Sequence, residues 1–484
     1  MRNACARLAA GLIAGGVDYL LVETCQDTRN VKAALLGIER ACAAADVQVP
    51  VAVSCTIEPM GTMLAGQSVE AFYTSIMHRE LLYVGLNCAT GPSFMTDHLR
   101  SLAALAQVPV AVMPNAGLPD EDGRYLETPE MMSAVLGRFI EQGWVNVIGG
   151  CCGTTSRHTA AFAALARGKA PRALPRFQRS FVSGIDFLEL TDELRPVIVG
   201  ERTNAVGSRK FKRLIEAEQF DEASDIARRQ VNSGAQVIDV NLANPDRDEA
   251  ADMERFLERV IQKVKVPLMI DSTDAAVIAL ALPYCQGKSI INSINLEDGE
   301  ERFRAVVPLA RRYGAALVVG TIDEDPTQGM AVTRQRKLEV ARRSHELLTT
   351  RYGIPATDLI FDPLVFPCAT GDENYRGSAA ETIEGVRLIK QAFPLCKTVL
   401  GISNVSFGLP EAGREVLNAV FLYHCVQAGL DLAIVNSEKL QRYASIPEEE
   451  RRLADDLLFN RGADPIAAFA AHFRERTPGS QQVQ

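Results

Sequence analysis

The chain has 484 residues, 47% of them hydrophobic and 23% charged, with a formal net charge of −9. That length exceeds what one core fills, so two domains are expected, and the acidic balance argues against a nucleic-acid or anionic-membrane surface. No apolar run is long enough to span a bilayer, the N-terminus lacks a signal-peptide pattern, and eleven cysteines, an odd number spread along a large chain, read as reduced thiols of a cytoplasmic protein.

The chain opens on a helical stretch, Ala4–Gly15, and then alternates short apolar strands with helical segments. Tyr19–Glu23, Val49–Cys55, Tyr83–Cys88, Val110–Asn115 and Val145–Gly150 read as parallel strands of a βα domain over residues 1–166. Five strands leave a (β/α)8 barrel incomplete at its N-terminal side, three strands short. The strand at Tyr19–Glu23 would then have an unpaired edge, to be covered by another polypeptide, by a second copy or by a lost N-terminal segment.

The last strand of this domain runs into Gly-Gly-Cys-Cys-Gly-Thr-Thr at 149–155, and Cys88 ends an earlier strand in Gly-Leu-Asn-Cys-Ala. Cys88, Cys151 and Cys152 at strand ends supply three thiolates with no fourth protein ligand in view, which is what an open zinc site needs. Small, buried, inert cysteines are the alternative. Cys25 and Cys55 read as structural.

Residues 167–194 begin with the Pro/Arg-rich run Arg-Gly-Lys-Ala-Pro-Arg-Ala-Leu-Pro-Arg-Phe and read as a linker, or else as a basic loop within one domain. Eight strands follow over residues 195–475: Val197–Gly200, Val237–Val240, Leu268–Ile270, Ile290–Ile294, Ala315–Gly320, Leu359–Phe361, Thr398–Ile402 and Leu432–Val435. Helical segments such as Ala331–Arg351, Ala379–Ala392 and Glu411–Ala428 separate them, so the second domain is expected to be a complete TIM barrel. A doubly wound sheet is the rival, without the glycine fingerprint of its dinucleotide-binding form. Ile446–Phe473 reads as one or two capping helices and residues 476–484 as a disordered tail.

Carboxylates and amides crowd the ends of these eight strands: Glu201, Asn204, Asp239, Asn241, Asp271, Ser272, Asn292, Asp323, Asp362, Asn404 and Asn436. No strand-end lysine is present for a Schiff base, and no histidine cluster for a metal hydrolase. Acceptors from Asp and mixed donors and acceptors from Asn suit a heteroaromatic ring such as a pterin. Capping of the following helices is the plainer alternative.

Gly-Glu-Arg-Thr-Asn-Ala-Val-Gly-Ser-Arg-Lys-Phe (200–211), Ile-Asp-Val-Asn (238–241), Ile-Asp-Ser (270–272), Ile-Asn-Ser-Ile (291–294), Phe-Asp-Pro (361–363) and Ser-Asn-Val-Ser-Phe (403–407) resemble the methyltetrahydrofolate-binding barrel of the cobalamin-dependent methionine synthase family. Val-Glu-Thr-Cys-Gln-Asp-Thr (22–28), Gly-Leu-Asn-Cys-Ala (85–89), Pro-Asn-Ala-Gly-Leu-Pro (114–119) and the double-cysteine turn resemble its homocysteine barrel. The resemblance implies that Val206, Gly207 and Ser208 line the folate site, that Asp271, Asn292 and Asp362 hold the pterin, and that Arg414 contacts folate. Asn404 would sit near N5, the nitrogen that gives up the methyl group.

The resemblance also implies zinc on Cys88, Cys151 and Cys152, homocysteine sulfur in the open position, and Glu23 pairing with the substrate ammonium. Where longer family members carry a further arginine, this chain has Pro410. The family's cobalamin-ligating Asp-x-His-x-x-Gly does not occur, so a separate corrinoid protein is the expected partner for methyl transfer from 5-methyltetrahydrofolate to homocysteine. Two alternatives stand beside this: a folate:corrinoid methyltransferase with a vestigial zinc domain, and a non-catalytic folate- and zinc-binding subunit.

Overall fold

A computed structural model describes residues 1–474, which separate into two compact units. The first unit comprises residues 1–177, 182–188 and 285–288, and the second comprises residues 178–181, 189–284 and 289 onwards. Among the described residues no helix is long and apolar enough to cross a membrane.

In the first unit, β1 (Leu20–Cys25), β2 (Val51–Cys55), β3 (Val84–Asn87), β4 (Val110–Met113) and β5 (Val147–Ile148) form one parallel sheet in chain order. The register pairs Leu20 with Val51, Val53 with Val84 and Val84 with Val110, which brings the C-terminal ends of the strands to one rim. Helices start where the sequence offers a side-chain acceptor for their free N–H groups: Asp27, Ser68 and Thr128 each cap the helix that follows. Leu20, Ile38, Ala41 and Ala9 bury one face of the sheet beneath the helices Arg2–Ala14 and Thr28–Ala45.

The segment read as a linker is more ordered than its Pro/Arg content implies. Strands β6 (Phe181–Ser183) and β7 (Phe187–Glu189) form a small two-stranded sheet within it. Arg172, from the same basic run, is buried and donates to the carbonyl oxygens of Val108, Ala103 and Ala106.

The second unit is a closed, all-parallel barrel of β8 (Val197–Gly200), β9 (Val237–Val240), β10 (Leu268–Asp271), β11 (Ile290–Leu296), β12 (Ala316–Asp323), β13 (Leu359–Asp362), β14 (Lys397–Gly401) and β15 (Leu432–Val435). Pairing of Leu432 with Val197 and of Val435 with Gly200 closes it. Strands covered on both faces read as continuous apolar runs, and all four residues of β9 are buried, Asp239 included. The helices Glu448–Leu458 and Pro465–Arg474 pack against the outer helix Glu411–Gln427, with Leu457, Leu458, Phe469 and Phe473 in the core. The second unit is the complete (β/α)8-type barrel expected, and the first is a five-stranded parallel sheet of βα units. The tail expected from residue 476 lies outside the described residues.

Candidate functional site

Cys88, Cys151 and Cys152 come together at the rim of the first sheet. Their sulfurs lie within 4.8 Å of one another, with Cys88 Sγ 3.6 Å and Cys151 Sγ 3.9 Å from Cys152 Sγ. Tetrahedral Zn–S bonds of about 2.3 Å require sulfurs about 3.8 Å apart, and the two separations from Cys152 match that spacing. The backbone holds it there. Cys88 N–H donates to Met113 O at 3.0 Å and Cys151 N–H to Pro114 O at 2.8 Å. Cys152 N–H donates to Asn115 Oδ1 at 3.1 Å. Cys88 and Ala89 both take left-handed φ values, 64° and 57°, unusual for residues with a Cβ. Burial and the adjacent Cys88 thiol push Cys151 up to about 12. A bound cation would offset that burial and stabilise the Cys151 thiolate.

Glu23 is exposed near the end of β1. It is tied to the cysteine rim through its neighbour: Thr24 N–H donates to Asn87 Oδ1 at 3.1 Å, and Asn87 Nδ2 donates to Thr24 Oγ1 at 2.9 Å. Cys25 and Cys55 stand apart from the trio. Cys25 donates to Val22 O at 3.5 Å, and burial pushes it up to about 12. The sequence reading missed Tyr125, whose phenol lies beside the cysteine trio, nearest in effect to Cys152. Its ring lies so close to Gly153 that a Cβ there would fall 2.2 Å from Tyr125 Cγ, at a backbone φ of 77°. The glycine after the double cysteine is the only sequence trace of this contact.

In the second unit the strand-end carboxylates and amides interlock. Asn204 Nδ2 donates to Asp239 at 3.2 Å and to Asp271 at 3.4 Å, and Asn241 Nδ2 donates to Asp271 Oδ2 at 3.1 Å. Burial, then the charge of Asp271, holds Asp239 well above the usual carboxylate range. Burial likewise raises Asp271 and Asp362 from 3.8 to about 6. Asp362 accepts from Leu364 N–H at 2.8 Å. Asn292 is half-buried at the same rim, directly beside Asp271 in the strand register.

Not every expected residue presents a free group. Ser208 is buried and its hydroxyl caps the helix Arg209–Glu216, while Asp323 is engaged by Arg336. Val206 is 77% exposed, and Gly207 N–H donates to Asn204 Oδ1 at 2.9 Å. Asn404 is exposed in the turn after β14, and its amide makes no hydrogen bond among the described residues. Arg414 donates to Ser406 Oγ at 3.2 Å. A cleft of about 510 Å³ beside the barrel mouth is lined by Glu201, Gly207, Ser403, Arg414 and Asn436; Asp271, Asn292 and Asp362 lie outside it. Burial raises Glu201, which accepts from Ser403 Oγ at 2.9 Å.

The raised carboxyls have a consequence for stability. A carboxyl at about 6 in the folded chain and 3.8 in the unfolded one keeps its proton longer when folded. The stability it contributes is full below 3.8 and is lost as pH rises through about 6. Asp271→Asn is therefore expected to flatten the dependence of melting temperature on pH across that window. Identical slopes for variant and parent, measured by calorimetry, would contradict the burial account.

Residues 1–166 match the family model described as homocysteine S-methyltransferase, and residues 200–436 match that described as pterin binding enzyme. The chain is 40% identical over 468 residues to the methionine synthase of Mycobacterium tuberculosis, covering 95% of this chain and 39% of that protein. It is also 40% identical over 503 residues to the methionine synthase of Mycobacterium leprae, covering 100% and 41%. The chain thus spans about two fifths of the length of these relatives. A dihydropteroate synthase structure from Stenotrophomonas maltophilia matches at 13% identity and a TM-score of 0.38, over 60% of this chain and 97% of that one. A likeness that weak has no bearing on substrate. The two family matches lie side by side in one chain and the 40% alignments run across both: the chain is similar to a homocysteine S-methyltransferase model over residues 1–166, to a pterin binding enzyme model over residues 200–436, and to part of the methionine synthases along almost its whole length.

Proposed function

We propose that the chain is a methyltransferase carrying the two substrate stations of methionine formation, one for 5-methyltetrahydrofolate and one for homocysteine. The observation that carries this reading is the pairing, in one chain, of three sulfurs spaced for zinc with a barrel mouth of interlocked amides and carboxyls. At the first station Cys88, Cys151 and Cys152 hold the metal and Glu23 receives the substrate ammonium. Zinc, when bound, would keep a substrate thiol deprotonated and nucleophilic at neutral pH.

At the second station Asp271, Asn292 and Asp362 hold the pterin ring, with Val206, Gly207, Ser208 and Arg414 around the rest of the folate. Asn404 reaches N5 with an amide free of other partners. Hydrogen-bond donation at N5 as the methyl group departs makes the pterin a better leaving group. The corrinoid that shuttles the methyl group is bound outside these 484 residues. The reduced thiols fit a cytoplasmic setting.

A second reading is folate:corrinoid methyl transfer without homocysteine turnover. Purified protein given 5-methyltetrahydrofolate, reduced cobalamin and homocysteine separates the two. Methionine is the expected product. Folate demethylation without methionine selects the second reading, and failure to bind either zinc or reduced folate overturns both.

A further inference from the structure

Behind the barrel mouth, the helix Arg334–Glu346 buries a lysine completely: Lys337 has no exposed surface. Its ammonium donates to Ala331 O at 2.9 Å, to Leu364 O at 3.3 Å and to Pro363 O. The Phe366 ring lies 5.1 Å from the nitrogen. The neighbouring helix Ser378–Ala392 has made room for the stem. A Cβ on Gly385 would fall 2.7 Å from Lys337 Cδ.

The two carbonyls after Asp362 are therefore gripped from behind, and Thr382 Oγ1 adds a bond to Leu364 O at 2.9 Å. Leu364 is held at a left-handed φ of 63°, the conformation in which its N–H donates to Asp362 Oδ1 at 2.8 Å. The charged groups facing Lys337 are Asp362 and Glu381, and Glu381 is already paired with Arg334 at 2.7 Å. Burial pulls Lys337 down to about 7, with Asp362 and Glu381 acting against that fall, so its charge is costly to keep there; a lysine that only filled space would be replaced without loss by methionine.

We propose that Lys337 is a positioning residue for the pterin station. It fixes the Pro363–Leu364 backbone that aims the Asp362 carboxyl at the barrel mouth, and it keeps that carboxyl ionised so that it accepts from a ring N–H. This rests on the folate reading given above. An opposite charge at close range favours the ionised carboxyl, so removing it moves Asp362 upward from about 6. Ring binding then fails at a higher pH.

The test compares the parent with Lys337→Met and Lys337→Gln by calorimetric titration with 5-methyltetrahydrofolate across pH. Lys337→Met is expected to weaken binding at neutral pH by about tenfold or more and to move the pH of half-maximal affinity upward. Lys337→Gln keeps donors for the carbonyls but not the charge, so it shows the same pH shift with a smaller loss of affinity. It also reports on the charge should the methionine variant fail to fold. A lysine of purely structural importance would change the melting temperature and leave the pH midpoint in place, and that result overturns the proposal. If the parent itself binds no reduced folate, the folate reading falls instead. Crystal structures then decide this inference, because an unmoved Pro363–Leu364 backbone in Lys337→Met refutes it.

Discussion

Replacing Cys151 with alanine is expected to strip zinc from the protein while leaving reduced-folate binding intact. The three sulfurs are the one group of metal-ligating side chains that gathers on a common centre among the described residues. Two thiolates cannot hold zinc against cellular chelators, because each deprotonated ligand contributes a large part of a binding free energy on the order of 10–16 kcal/mol. The folate residues belong to a different compact unit, so they have no part in that loss. Cys25→Ala is the control, since Cys25 shares the rim but bonds only to the Val22 carbonyl. Elemental analysis with chelator competition gives the answer. Stoichiometric zinc on the Cys151 variant would remove the metal from the proposed function.

Asn404→Ala is expected to slow methyl transfer from folate by roughly 10²–10³-fold with far less effect on folate affinity. The side chain is exposed and makes no hydrogen bond among the described residues, so its loss disturbs nothing that holds the barrel together. An amide whose chief partner is the departing N5 acts in the transition state, and such a residue lowers the rate more than the binding. Single-turnover rates set against equilibrium titration separate the two quantities. Equal losses in both would make Asn404 a ground-state contact.

Much of this arrangement is legible in the sequence because its signals are local. The eight strands of the barrel are apolar runs bounded by turn residues, and three of them, Val197–Gly200, Val237–Val240 and Leu432–Val435, match the expected bounds. Where bounds moved, the polar residue expected just after a strand proved to be its last member, as with Asp271 and Asp362. Those residues end the strand and line the mouth at once. The cysteines were visible for the same reason: Cys88 and Cys152 are 64 positions apart, yet each follows a strand, and parallel strands bring their ends to one rim.

What stayed hidden depends on the packing of distant segments. Nothing in the composition of the Pro/Arg-rich run signals that Arg172 will bury its guanidinium against three carbonyls. Tyr125 and Lys337 were missed in the same way. A tyrosine in a polar loop and a lysine among the arginines of a helix start carry no periodic mark. Only glycines elsewhere, Gly153 and Gly385, record that a side chain must pass there.

The paired left-handed residues Cys88 and Ala89 bear on which ion the proposed metal station would accept. Conformations of that kind cost about 1–3 kcal/mol each and persist only where the surrounding hydrogen bonds dictate them. A backbone held so firmly sets the gap between sulfurs before any ion arrives. Such a pocket would act as a gauge: it would take a small tetrahedral ion as it stands, and an ion that favours a square plane would have to bend the frame to enter. Discrimination among metals would then be written into main-chain torsions as much as into sulfur chemistry.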